Sequence, residues 1–306
     1  MKSLLSLNCV FSYSIRILKS HKSREVLVNK KNKQPWIEVY YKPGLSMNDA
    51  ELDDFTGKIK KTAQFCFTSL PDYQVMRGTR EELSDKVIAV AWSDSDRSQV
   101  DGFCSSVLLP VERIGEVLHL GLTCVRPEAR SRGLTHVLIH KAVASQLLRT
   151  SPLIGKLWIS NCAAVLSSLV NVAVYFENVY PSPFHRSRKT NEHVMISDAI
   201  NRYHRDKMYI NREAEFDPDD FIFRGSVNGT VFQKDSSDCT YHHRNKILNR
   251  YYQHLMDFNR GDEILQIGYA STFAAIRHML RINNRRIHPS YLEVPVHTRG
   301  RMAQTA

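Results

Sequence analysis

The sequence predicts an α/β or α+β fold and argues against a strict βαβ repeat. Three observations carry this. An early helix pattern precedes a block of three strand-like runs joined by turn signals, the mark of a mostly antiparallel block. Beyond an arginine-rich corner, helix-like and strand-like patterns alternate. The chain has 306 residues, 42% hydrophobic and 24% charged, which is an ordinary globular composition with room for one large domain or two modest ones.

Trp36 to Leu45 reads as a strand ended by Pro43 and Gly44. Ser46 is placed to cap the helix that follows, with Asp49, Glu51, Asp53 and Asp54 near its positive end. Leu52, Phe55, Ile59 and Ala63 then recur at helical spacing. Lys86 to Trp92 and Phe103 to Val111 are β-rich runs around a polar turn, and Gly115 to Val125 is the third strand. A helix is expected from Leu134 to about Arg149, and a strand from Leu157 to Cys162. The apolar run from Ala163 to Tyr180 reads as one helix, closed where Pro181 and Pro183 forbid continuation. Further on, helices are expected at Glu192 to Tyr209, Arg244 to Phe258 and Ser271 to Leu280, with a strand from Gly261 to Ala270. Asn228 and Gly229 between apolar runs give a hairpin signal.

The net charge of +11 is uneven: +7 over residues 1–34, +5 over 277–306 and −1 between them. Such ends read as solvated basic segments. Nucleic acid would be the sharper partner, but no RNP-type aromatic motif, helix-turn-helix or Cys/His finger accompanies them. The first residues suit a leader or first strand; Asn8, Ser6, Ser12 and Ser14 interrupt the apolar run a secretory signal would need, while an organelle transit peptide fits the composition better. No run reaches the roughly 18–20 apolar residues of a membrane span. Six scattered cysteines without a CxxC spacing read as reduced thiols in a cytoplasmic protein. Cys239 with His242 and His243 lacks a second ligand pair, so no metal is expected.

The corner from Val125 to Thr135 carries the chemistry. A helix N-terminus offers unpaired N–H groups and partial positive charge, both suited to phosphate. Gly133 permits close backbone approach, and Arg130 and Arg132 add planar, permanent charges. Neither a P-loop nor GxGxxG is present. Val125-x-Pro127-x-x-Arg130-x-x-Gly133-Leu134-Thr135 resembles the acyl-CoA-binding motif of the GNAT superfamily of N-acyltransferases, R/Q-x-x-G-x-G/A after a strand ending Val-x-Pro. Thr135 stands where that family has Gly or Ala. With the element order around it, the resemblance covers about Trp36 to Phe184.

The resemblance implies a mixed, mostly antiparallel central sheet flanked by helices, here with a C-terminal extension. It implies transfer of an acyl group, acetyl by default, from acyl-CoA to a primary amine by direct attack in a ternary complex, with no metal. Thr123, Cys124, Val125, Arg130, Ser131, Arg132, Gly133, Leu134 and Thr135 would then hold the donor. Tyr175 matches the spacing of the family's acid, although Val179 and Tyr180 replace its Gly-Phe. For the base, Glu116 and His119 lie on the strand before the motif, three apart and so on opposite faces. Cys124 reads as a small buried residue, not a nucleophile. The chain divides into a basic leader or first strand (1–34), the acyl-CoA-binding core (35–185), remaining strands and inserted helices covering the acceptor side (186–276) and a basic tail (277–306). The competing reading is a catalytically degenerate CoA-binding or interaction module of the same fold.

Overall fold

The structure, a computed structural model, describes residues 24–27, 36–130, 133–150, 155–184 and 187–273. Ser131, Arg132 and the whole 277–306 tail lie outside the described residues, as do most of the leader and of the helix expected at Ser271 to Leu280.

Ten strands among the described residues form one sheet. In chain order they are β1 (Arg24–Leu27), β2 (Trp36–Tyr41), β3 (Lys86–Trp92), β4 (Val100–Val111), β5 (Gly115–Val125), β6 (Lys156–Ala163), β7 (Glu177–Tyr180), β8 (Glu215–Asp217), β9 (Ile222–Arg224) and β10 (Glu263–Ser271). The spatial order is β1-β2-β3-β4-β5-β6-β10-β9-β8, with β7 also on β10. Every pairing is antiparallel except β5 with β6. Strands from both ends of the described chain thus share one sheet.

Helix α1 (Asp49–Ala63) buries Leu52, Phe55, Ile59 and Ala63 on one face of the sheet. Its cap is Asn48, not Ser46. Asn48 Oδ1 accepts from the Glu51 amide at 2.9 Å, and Glu51 Oε2 accepts from the Asn48 amide at 3.1 Å. Ser46 closes a one-turn helix (Pro43–Ser46) and bonds back to the Lys42 carbonyl, so it is spent before α1 begins. Helix α2 (Leu134–Thr150) covers the opposite face through Leu134, Leu138, Ala142 and Leu147. Helix α3 (Leu166–Tyr175) packs beside it and against α5 (Lys246–Leu255). Helix α4 (Asn191–Ala199) continues through a wide turn to Met208 and covers the α1 face farther along the sheet.

Two expectations fail. The run from Ala163 to Tyr180 is not one helix: α3 stops at Tyr175, Phe176 is extended, and Glu177–Tyr180 pairs with β10. An unbroken apolar run does not reveal by periodicity where a buried helix gives way to a strand. Asn228 and Gly229 turn the chain without joining paired strands, because β9 pairs with the preceding β8 and with β10. Phe232, just beyond, stacks on Tyr73 and Tyr209 instead of extending a ladder.

Candidate active site

The site grows from an irregularity in β5. Cys104 of β4 pairs with Thr123, and Ser106 with Leu120, so Gly121 and Leu122 together oppose Ser105. This is a β-bulge, and it re-aims every side chain after it. Leu118 and Leu120 point into the core under α2, whereas Leu122 and Cys124 point into the core under α1. The parallel pairing with β6 is confined to Leu118–Leu120 against Ile159–Asn161. Beyond the bulge β5 runs on to Val125 while β6 turns into α3, and the two strands separate.

Gln74 underpins the bulge. A Cβ on Gly121 would lie 2.3 Å from Gln74 Nε2 and 2.6 Å from the Ser105 carbonyl, so only glycine leaves room. The Gln74 amide is fixed at both ends: Oε1 accepts from Ser105 Oγ at 2.8 Å and Nε2 donates to the Tyr73 hydroxyl at 2.8 Å. On the far side of β6 lies β10, whose Leu265 pairs with Cys162 of β6. Glu263, two residues earlier on the same face, is buried and accepts from Ser226 Oγ at 2.6 Å. Burial pushes its carboxyl up to about 7, against the pull of hydrogen bonds from Ser226 and Cys162. Burial, with Glu263 next, pushes the Tyr73 phenol far above its ordinary range. Gln74, Tyr73 and Glu263 were all missed in the sequence; a buried glutamate opening a strand pattern at Asp262-Glu263 was the one available hint.

The corner lies at the far end of β5. The Arg126 amide donates to the Asp101 carbonyl at 2.9 Å, and Pro127–Ala129 forms one tight turn. Gly133 has φ +71°, and a Cβ there would meet nothing within 4 Å, so conformation and not space calls for glycine. Leu134 anchors the first turn of α2 in the core, while Thr135 is exposed. Thr123 is half-buried and hydrogen-bonds the Cys104 thiol, and Cys124 is 1% exposed. The Arg130 guanidinium is turned back onto β5: Nε donates to the Val125 carbonyl at 3.2 Å and Nη2 lies 4.0 Å from Cys66 Sγ.

Of the residues expected to move protons, Glu116 and His119 lie away from the corner, while Tyr175 packs against the first turns of α2. Glu116 sits at the other end of β5, nine residues and roughly 30 Å of strand from Val125. There it bonds Lys42 at 3.5 Å and Gln146 at 3.2 Å. His119 is buried inside the sheet with Nδ1 3.1 Å from Ser160 Oγ. Burial, and secondarily the Lys86 charge, lower it to about 3, so the ring is neutral. Tyr175 ends α3, partly exposed, with its ring 5.0 Å from His136 and 5.5 Å from His140 of α2.

No family model matches the sequence, and no curated protein matches it either. Solved structures resemble part of it. An aminoglycoside acetyltransferase from an uncultured soil metagenomic sample is 15% identical, with a TM-score of 0.29, over 40% of this chain and 75% of that one. A GNAT family acetyltransferase from Brucella melitensis, in complex with acetyl-CoA, is 15% identical with a TM-score of 0.28 over 41% and 74% of the two chains. A ribosomal-protein-alanine N-acetyltransferase from the same organism is 17% identical with a TM-score of 0.26 over 38% and 73%. These likenesses cover roughly two fifths of this chain. Among the described residues, no group of three His, Cys, Asp or Glu side chains could hold a metal, and no helix is long and apolar enough to cross a membrane.

Proposed function

We propose that the protein is an acyl-CoA-dependent N-acyltransferase, acetyl-CoA its donor and a primary amine its acceptor, acting by direct attack in a ternary complex. One observation carries the reading: β5 parts from β6 at a bulge, and the corner that follows β5 closes on a left-handed glycine at the start of a 17-residue helix. An extended thioester arm needs a strand edge from which the neighbouring strand has withdrawn. A diphosphate needs a helix N-terminus with nothing over its amides. The strand edge from Gly121 to Val125 and the helix start at Gly133 and Leu134 are the two features that support this reading. The amide side of the bulge suits the thioester oxygen, which gains charge as the amine attacks.

The attacking amine must lose a proton, and the buried Glu263 of β10 suits that task better than Glu116 or His119. A carboxyl titrating near neutrality is a carboxylate in part of the molecules and still basic enough to accept a proton. Tyr73, held by Gln74 beside the bulge, is the hydroxyl available to return one to the thiolate. Residues 186–276, which bring α4, Glu263 and Ser226, cover the acceptor side in this reading. The five cysteines among the described residues are free thiols, in keeping with a cytoplasmic protein.

A second reading, a CoA-binding module without turnover, is favoured by one feature: the Arg130 guanidinium is already engaged by Val125 and Cys66. Thermal unfolding with acetyl-CoA, beside a Gly133→Glu variant, tests both. At a hundredfold excess over its dissociation constant a native-state ligand adds about 2.7 kcal/mol. The wild type is expected to shift upward and the variant to stay still. Release of free CoA thiol on adding a panel of primary amines then separates the enzyme from the module, and no shift at millimolar acetyl-CoA removes both.

A further inference from the structure

Behind the corner, on the α1 side of the sheet, lie two thiols that the transfer reaction does not use. Cys66 follows α1, three residues past Ala63, and Cys124 is the penultimate residue of β5. Cys66 packs against the core cluster that contains Cys124. As a thiol, Cys66 Sγ also donates to the Val125 carbonyl at 3.6 Å, and Arg130 Nη2 lies 4.0 Å away. A sulfur, a carbonyl and a guanidinium from two distant stretches of chain therefore meet here, with the second sulfur in the core cluster that Cys66 packs against.

The sulfurs are unlike. Cys66 is half-buried and open to solvent on one side; Cys124 is 1% exposed. The hydrogen bond from Cys124, a backbone bond at Val125 and the Arg130 charge bring Cys66 down to about 6, against the opposing push of burial. The same contact, followed by burial, raises Cys124 well above its ordinary value. These opposite shifts favour Cys66 as the thiolate of the two and Cys124 as the thiol. A reachable thiolate beside a buried thiol is the arrangement in which one sulfur is oxidised and the other resolves it.

We propose that Cys66 and Cys124 form an oxidation-sensitive dithiol at the base of the donor cradle. The oxidant is a hydroperoxide. Cys66 Sγ attacks the peroxide oxygen, the O–O bond breaks, and hydroxide (or alkoxide) leaves and takes a proton from solvent. Cys66 is now a sulfenic acid. Cys124 Sγ attacks the Cys66 sulfur, the S–O bond breaks, and the hydroxide departs as water with the Cys124 proton. The dithiol has lost two electrons and the peroxide has gained them.

Oxidation also acts on Arg130. The thiolate is one of the two groups holding the guanidinium back on β5. A disulfide removes that negative charge and leaves only the Val125 carbonyl. Arg130 is then freer to meet a phosphate, and acetyl-CoA should bind about threefold tighter, the scale of a partly exposed ion pair. This consequence rests on the acyl-CoA reading; the dithiol itself does not.

The experiment treats the full chain with a small excess of hydrogen peroxide near neutral pH, blocks remaining thiols with iodoacetamide and maps the digest without reductant. The expected product is a peptide pair joined through Cys66 and Cys124. In Cys124→Ser the sulfenic acid persists at Cys66 and is trapped by dimedone. Iodoacetamide should label Cys66 well below the pH at which it labels the exposed Cys239, and Arg130→Gln should move that midpoint upward. Oxidation of Cys239 with no joined pair, or a Cys66 midpoint equal to that of Cys239, overturns the proposal. Calorimetry with acetyl-CoA on reduced and joined protein reads the consequence separately. If neither form binds, the donor reading fails while the mapped disulfide stands; if both bind equally, the link to Arg130 is wrong.

Discussion

The two halves of β5 have nearly the same composition and opposite surroundings. From Leu118 to Leu120 the strand is paired on both sides, and its one histidine is sealed between Val107 of β4 and Ser160 of β6. From Gly121 to Val125 it is paired with β4 alone, and the buried carboxyl of Glu263 lies on β10 beyond β6. In each region a titratable group is buried, yet the consequences differ in sign. Burial of a histidine favours the neutral base, so His119 is lowered to about 3 and drops out of chemistry near neutrality. Burial of a carboxyl favours the neutral acid, so Glu263 is raised to about 7 and enters it. What burial does to a site therefore depends on which residue type is put there.

The largest effect that could break this comparison concerns His119. Between about 3 and the ordinary 6.5 the unfolded chain binds a proton that the folded chain refuses. The stability it contributes is fully present above pH 6.5 and is lost as pH falls toward 3, in total roughly 4–5 kcal/mol. His119→Gln keeps a polar group beside Ser160 without the titration. Urea midpoints from pH 7 down to 4 should fall more steeply for wild type than for the variant. Parallel acid limbs would mean that the first half of β5 is not sealed.

Glu263 should slope the other way. Between the ordinary 4.5 and about 7 the folded chain keeps a proton that the unfolded chain has lost. Stability therefore declines as pH rises through that window, by about 3 kcal/mol in all. Carboxylates held down by cations, such as Asp85 with Lys207 and Lys86, titrate in the acid range and mask part of this in wild type alone. The difference between Glu263→Gln and wild type isolates it, and should grow in the variant's favour from pH 5 to pH 8. A flat difference would place the Glu263 carboxyl in water and remove it as a proton acceptor.

These regions were unequally legible in the sequence. The corner at Val125–Thr135 could be read because its requirements are local: a strand end, a left-handed glycine and a helix start. The strands of the antiparallel block could be read for the same reason. The bulge could not. Leu118, Leu120, Leu122 and Cys124 alternate perfectly and read as one face of one strand, yet the structure divides them between two cores. Only Gly121 within that run hinted at a break. Glu263, Tyr73 and Cys66 were invisible for a different reason. Each is placed by a contact far along the chain, and a lone side chain in a strand or loop pattern says nothing about its partner. Glu116 and His119 were favoured because they are near the motif in sequence, but a strand carries its residues away from one another at about 3.3 Å each.

The smallest effect sharpens the comparison most, because it separates two glycines that look alike on paper. At Gly121 the backbone is ordinary and the space is absent: a Cβ would press on the Gln74 amide and, less avoidably, on the Ser105 carbonyl. At Gly133 the space is open and the backbone is left-handed, with φ +71°. Gly121→Ala should cost about 2 kcal/mol, as overpacking does, and should disturb Tyr73 through Gln74. Gly133→Ala should cost about 1 kcal/mol, the penalty of a left-handed alanine, and leave the opening intact. Denaturant midpoints give the two costs. Near-ultraviolet dichroism, which follows the packed Tyr73, Tyr209 and Phe232 rings, should change for Gly121→Ala alone. Equal costs with an unchanged spectrum would mean that the bulge tolerates a side chain, and that what keeps the two halves of β5 distinct is the withdrawal of β6 and not the Gln74 support.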